Sequence, residues 1–272
     1  MTSTELTQSR AHLDENRRMI IGRSLAAAIA GAVPVPLLEE WLSATVQRTT
    51  IKKVADAHSV DLDEAAIRAI ADGPSSPPEW TEIAGGGIAW RILGSAWKRV
   101  LIAVLAARRA QAASKAFSVA TLFDHYCARL HVGLGLDAID GAHVRALIDQ
   151  AIGETKGGLT RTLFRRGLLA AAKATARAPL KMANTLTGGR LTKLLGDGEV
   201  EAVTDVEREL DRQLAEEDSF LARASKAIEF QLAAESVPYL DRLIDNFEAA
   251  YRRQASAPRR PPTPGRRPPK ET

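Results

Sequence analysis

The chain has 272 residues, 45% of them hydrophobic and only 5% aromatic, and a formal net charge of +4. That apolar content excludes a chain disordered throughout, and the length suits one large domain or two small ones. Its richness in alanine, the strongest helix former, and its shortage of aromatic residues predict an all-α fold, a multi-helix bundle. Cys127 is the single cysteine, so no intrachain disulfide forms, which fits a reducing compartment.

In chain order, the first residues carry Glu5, Asp14 and Glu15 and lack the basic, apolar and small-residue sequence of a secretory signal. Residues 4 to 33 read as one helix, polar and then apolar, broken by Val33-Pro34-Val35-Pro36. Met19 to Leu38 comes nearest to the roughly 20 apolar residues that a membrane span needs. The reading preferred here is a buried core helix. In a membrane, Arg23 would snorkel from one end. A second helix is expected at about 37 to 58, with Leu38, Trp41, Leu42, Thr45, Val46, Thr49 and Val54 inward. Asp61 is expected to cap a short helix, with Glu64 three residues on. Residues 72 to 78 read as a loop and Gly85-Gly86-Gly87 as a joint.

A long helix is expected from about 88 to 131, with Trp90, Leu93, Trp97, Leu101, Val104 and Leu105 on one stripe. Asp140 is the expected cap of the next helix, which turns Val144, Leu147, Ile148 and Ile152 inward. A basic helix spans roughly 159 to 185. Two acidic amphipathic helices follow. The first carries Val203, Val206, Leu210, Leu214, Leu221 and Ile228; the second, with Pro238 near its start, carries Leu240, Leu243, Ile244, Phe247 and Tyr251. No stretch alternates long enough for a strand. The organisation is thus an Ala-rich helical domain (1–155), a basic helix followed by acidic helices (156–254), and a disordered Pro/Arg-rich C-terminal tail (255–272).

Charge is segregated along this chain. Ile83 to Phe123 holds six basic residues and no acid, and Thr155 to Gly196 holds nine and no acid. From Asp197 to Glu248, fifteen acids face five basic residues. Either the acidic part docks on the basic part or the two serve different partners. Cations interleaved with Leu, Phe, Ala and Trp let one helix face bury while the other draws anions. This points to an anionic phospholipid membrane surface. The candidate lipid-binding residues are Trp90, Arg91, Trp97, Lys98 and Arg99 in the first stretch. In the second they are Arg161, Arg165, Arg166, Lys173, Arg177 and Lys181. The competing reading makes the second stretch a core helix whose cations pair with the acidic helices, and a switch between the two states is a further expectation.

Ala26 to Pro36, Val60 to Ala71 and the glycines near Gly85 also carry a resemblance. Their order, an Ala-rich helix, a Pro-Val-Pro break, a short Asp-Leu-Asp-Glu helix and a Gly-rich apolar stretch, resembles the domain of YcjF-type bacterial inner-membrane proteins. It is similar, more loosely, to EcsC-like helical proteins. The resemblance covers about residues 20 to 155. It implies a membrane-linked accessory role in bacteria and no catalytic residue.

Enzymatic constellations are weak. Asp124, Cys127 and His131 share a helix face, with His143 as a distant fourth group, but ordinary packing with a surface Asp124 is the reading adopted, and no metal ligand or cofactor is assigned. His12, His58, His125, His131 and His143 lack a nucleophile elbow, and no phosphate loop exists. The expectation is therefore a non-catalytic accessory or adaptor protein, cytoplasmic and peripherally bound to the inner membrane. The alternatives are a scaffold recruiting protein partners through its acidic helices and residues 255–272, or a nucleic-acid binder. Nucleic acid ranks lower, because the acidic third repels it.

Overall fold

The computed structural model of the protein describes residues 12–30, 37–75, 77–85, 98–155, 162–166, 198–235 and 237–256. These residues form an all-α bundle. The helices are α1 (His12–Ala30), α2 (Leu38–Ala57), α3 (Glu64–Asp72), α4 (Trp80–Gly85) and α5 (Lys98–Arg129), then α6 (Ala138–Glu154), α7 (Glu199–Ala215), α8 (Phe220–Glu235) and α9 (Val237–Ser256). The expected tail beyond Ser256 lies outside the described residues.

Helix α1 is the centre of the bundle. Every residue from Ile20 to Ala30 is buried, as a helix with no polar face requires. It packs against α2, α5, α7 and α8. Its small residues allow close approach: a methyl on Gly22 would collide with the Leu214 side chain. Among the described residues no helix is long and apolar enough to cross a membrane. Helix α2 buries the predicted Leu38, Trp41, Leu42, Thr45, Val46 and Val54. Trp41 meets Trp80 of α4 with ring centroids 4.6 Å apart.

Two predicted caps are displaced, for one reason. Asp61 and Leu62 form a short strand, β1, which pairs in parallel with Gly135 and Leu136 (β2). The backbone of Asp61 is thereby extended, and the cap falls to Asp63, whose Oδ1 accepts from Ala66 N at 2.6 Å. Likewise α6 begins just after β2. Asp137 caps it, accepting from Ile139 N at 2.8 Å and Asp140 N at 2.9 Å, while Asp140 sits in the first turn. Arg145 of α6 is buried and holds the end of α3, donating from Nη1 to the carbonyls of Ile70 and Ala71 at 2.5 and 2.8 Å.

The expected single helix carrying Val203 through Ile228 is two helices. Glu216, Glu217 and Asp218 interrupt it, and Ser219 Oγ then caps α8 by accepting from Ala222 N at 3.0 Å. Helix α9 fastens onto the first half of the chain. Asn246 Nδ2 donates to Thr155 Oγ1 at 2.9 Å, and Arg253 pairs with Glu154 at 3.2 Å. One hydrophobic cluster runs from Leu13 to Ala250.

Candidate functional site

Most of the predicted lipid-binding residues fall outside the described part of the chain: Trp90, Arg91, Trp97, Arg161, Lys173, Arg177 and Lys181. Lys98 and Arg99 open α5, where the description covers the backbone alone. Arg165 and Arg166 lie on a helical stretch over 162–166 and both are exposed. Leu163 and Phe164, between them and the core, are fully buried, with Phe164 5.5 Å from Phe117 of α5. This stretch therefore has the two-sided character that the sequence predicts, apolar inward and cationic outward.

The acidic helix α7 docks on α1 and α2. Its partner is Arg23, in the middle of α1 and fully buried. Arg23 pairs with Glu207 and, at 3.2 Å, with Asp211; its Nη2 donates to Thr49 Oγ1 at 2.8 Å and its Nε to Thr50 Oγ1 at 3.2 Å. Lys53 of α2 joins the cluster, 2.8 Å from Asp211. Glu207 and Asp211 lie four residues apart on one face, so one guanidinium meets both. Among the described residues the other α7 pairs are local: Arg208 with Asp205, and Arg212 with Glu209 and with Glu216 just past the helix end. Arg23 is thus a buried ion-pair centre, in place of the snorkelling cation expected of a membrane segment.

A second polar cluster joins α1, α2, α5 and α9. Asp124, expected at the surface, is fully buried. Its Oδ1 accepts from Asn16 Nδ2 at 2.7 Å and lies 2.8 Å from His58 Nε2, at the end of α2. Next to it, His12 Nε2 lies 3.2 Å from His125 Nδ1, and His125 Nε2 lies 3.1 Å from Glu248 Oε1. Arg252 holds the other Glu248 oxygen. Burial, followed by the charge of Arg129, lowers the pKa of His12 below the ordinary histidine value.

Cys127 and His131 do not complete a metal centre with Asp124. Among the described residues no three His, Cys, Asp or Glu side chains are placed to hold a metal ion. Burial, with Asp124 adding to it, pushes the Cys127 thiol far up, so the thiolate that a nucleophile or soft ligand requires is suppressed. Tyr126 is pushed up to about 12, chiefly by burial. A cleft of about 560 Å³ lies between α2, α3, α5 and α6, lined by Glu39, Gln47, Asp72, Lys115 and Arg145 among others. Two of its charged groups are engaged: Asp72 takes three bonds from Arg48, and Arg145 bonds Asp149 as well as the α3 carbonyls.

Sequence reasoning missed both clusters. The bonds of Arg23 to α7 span 184 and 188 residues, and those of the histidine cluster span 66 to 123, so no local spacing could reveal them. No family model matches the chain, and neither a curated protein nor a solved structure does.

Proposed function

We propose that this is a non-catalytic helical protein that associates peripherally with an anionic membrane surface, on its cytoplasmic face, as an accessory or adaptor. The observation that supports the reading is where the acids of α7 go. Glu207 and Asp211 are taken by Arg23 and Lys53, and Asp205, Glu209 and Glu216 by arginines of α7 itself. Neither Arg23 nor Lys53 belongs to an acid-free stretch. Among the described residues, the cations that engage these five acids are Arg23, Lys53, Arg208 and Arg212, and none of them lies between Thr155 and Gly196. Each Lys or Arg close to an anionic leaflet contributes about 1 kcal/mol, which falls as salt screens it.

Flotation with vesicles tests the reading. Phosphatidylglycerol-rich vesicles carry the protein to the top of the gradient at low salt, and phosphatidylcholine vesicles do not. Recovery in the bottom fraction with both kinds of vesicle refutes it.

A scaffold reading has one observation of its own. Val132 and Leu134 of the α5–α6 connection and Ile139 in the first turn of α6 are 94%, 88% and 79% exposed. Clustered exposed apolar side chains mark interaction sites. If replacing Val132 and Leu134 by Asp abolished a protein complex and left flotation intact, this connection would serve a protein partner.

A further inference from the structure

We infer that the His12–His125 contact is a proton-operated clasp that fastens the start of α1 to α5 and α9 at neutral pH and lets it go on acidification. The argument rests on how many hydrogens the geometry accommodates. Glu248 offers only lone pairs to His125 Nε2 at 3.1 Å, so that nitrogen carries a hydrogen. In neutral His125, Nδ1 is then an acceptor. The 3.2 Å contact to His12 Nε2 requires the hydrogen to be on His12 Nε2. His12 Nδ1 is left as a bare lone pair, buried and with no partner among the described residues.

One extra proton upsets this arrangement whichever ring receives it. On His12, it goes to Nδ1. On His125, it goes to Nδ1, and His12 must then accept through Nε2 and move its own hydrogen to Nδ1. Both routes place an N–H donor in a buried position without an acceptor, which is costly. A second proton puts two N–H groups face to face and breaks the contact.

The charged surroundings reinforce the effect. Arg129 and His58 face His12 and oppose its charge, while Asp124 and Glu15 favour it. On α9, Glu248 is already shared between His125 and Arg252. His12 is only half-buried, so its ring can reach water by swinging outward with the first turn of α1. That movement also loosens the Asn16–Asp124 bond one turn on. The opposite response is chemically available: Asp124 Oδ2 is a buried acceptor with no partner among the described residues, and a His12 ring that turned to it would tighten α1.

Should the membrane reading hold, the clasp would respond to the surface itself. A surface potential of about −30 mV raises the local proton concentration roughly threefold. This consequence rests on that reading, whereas the clasp does not, and its test contains no lipid.

Hydrogen exchange of the full chain is measured at about pH 7.5 and pH 5.5, corrected for intrinsic exchange rates, together with imidazole titration by NMR. Protection of α1 amides from Leu13 to Ile20 should fall by roughly threefold or more at the lower pH. Protection in α6 and the middle of α5 should stay unchanged. His12→Gln supplies a non-titrating amide donor to His125 Nδ1, and its α1 protection should not depend on pH over this range. Unchanged or increased protection in the wild type, a loss spread evenly over all helices, or an equal loss in His12→Gln would overturn the clasp.

Discussion

Arg23 gives a prediction whose sign is unusual. It is fully buried, whereas the side chains of its partners Glu207 and Asp211 are 21% and 50% exposed. Replacing Arg23 by Met leaves two carboxylates that can turn to water, one of them still 2.8 Å from Lys53. Thr49 and Thr50 keep their bonds to the carbonyls of Thr45 and Val46. The methionine stem fills much of the vacated volume, so the cost should be about 1–2 kcal/mol. The reverse change, Glu207→Gln with Asp211→Asn, leaves a guanidinium inside the bundle with only neutral acceptors. An uncompensated buried charge costs about 3–5 kcal/mol. Urea unfolding followed by far-UV circular dichroism reads the difference. With a slope near 3 kcal/mol/M, the double variant should lose about 1–1.7 M in midpoint and Arg23→Met about 0.3–0.7 M. If Arg23→Met were the more damaging change, Arg23 would contribute net stability as a charge and the reasoning would fail.

Other outcomes follow from single contacts. Asp63→Ala and Asp137→Ala should each cost about 1 kcal/mol in urea unfolding as caps are lost, while Asp61→Ala and Asp140→Ala should cost less than half of that. Trp41→Phe should cost under about 1.5 kcal/mol, because the buried Trp41 indole N–H has no partner among the described residues and so loses no bond; Trp41→Ala should cost about 3–5 kcal/mol. Cys127 should stay unmodified by a thiol reagent at neutral pH in the folded protein and react once urea unfolds it. The folded pKa of His12 is depressed, so its stabilising contribution is present above the unfolded value near 6.5 and lost as pH falls below it. A midpoint in urea that rose on acidification through this range, in wild type but not in His12→Gln, would reverse that sign.

What the sequence revealed was local. The stripe of Leu38, Trp41, Leu42, Val46 and Val54 locates α2 because period 3.6 is carried by neighbouring residues, and the same holds for Val144, Leu147 and Ile148 in α6. The caps differ from the expected ones by two or three residues because two aspartates stand close together at the start of each helix. The choice between them is made by a strand pairing between Asp61 and Gly135, which no local pattern announces. Arg23 is the clearest limit. Among alanines it resembles a cation at a membrane edge, and only the arrival of α7 makes it an internal ion pair. The sequence alone places Asp124 at the surface, where aspartates usually lie; its burial depends on His58 and Asn16, which converge from the end of α2 and from α1. The two-sided character of residues 162–166 was legible, since the apolar pair Leu163-Phe164 adjoins the basic pair Arg165-Arg166 within about one turn.

The central claim concerns the cations after Thr155, and vesicle partitioning of a charge-neutralised chain tests it most directly. Arg161, Arg165, Arg166 and Lys173 are replaced together by Gln, and binding to phosphatidylglycerol-rich vesicles is compared with the wild type at low salt. Four cations at up to about 1 kcal/mol each predict a loss of at least roughly tenfold in the partition coefficient, with a shallower dependence on salt. Equal partitioning and equal salt dependence in the two proteins would contradict the account.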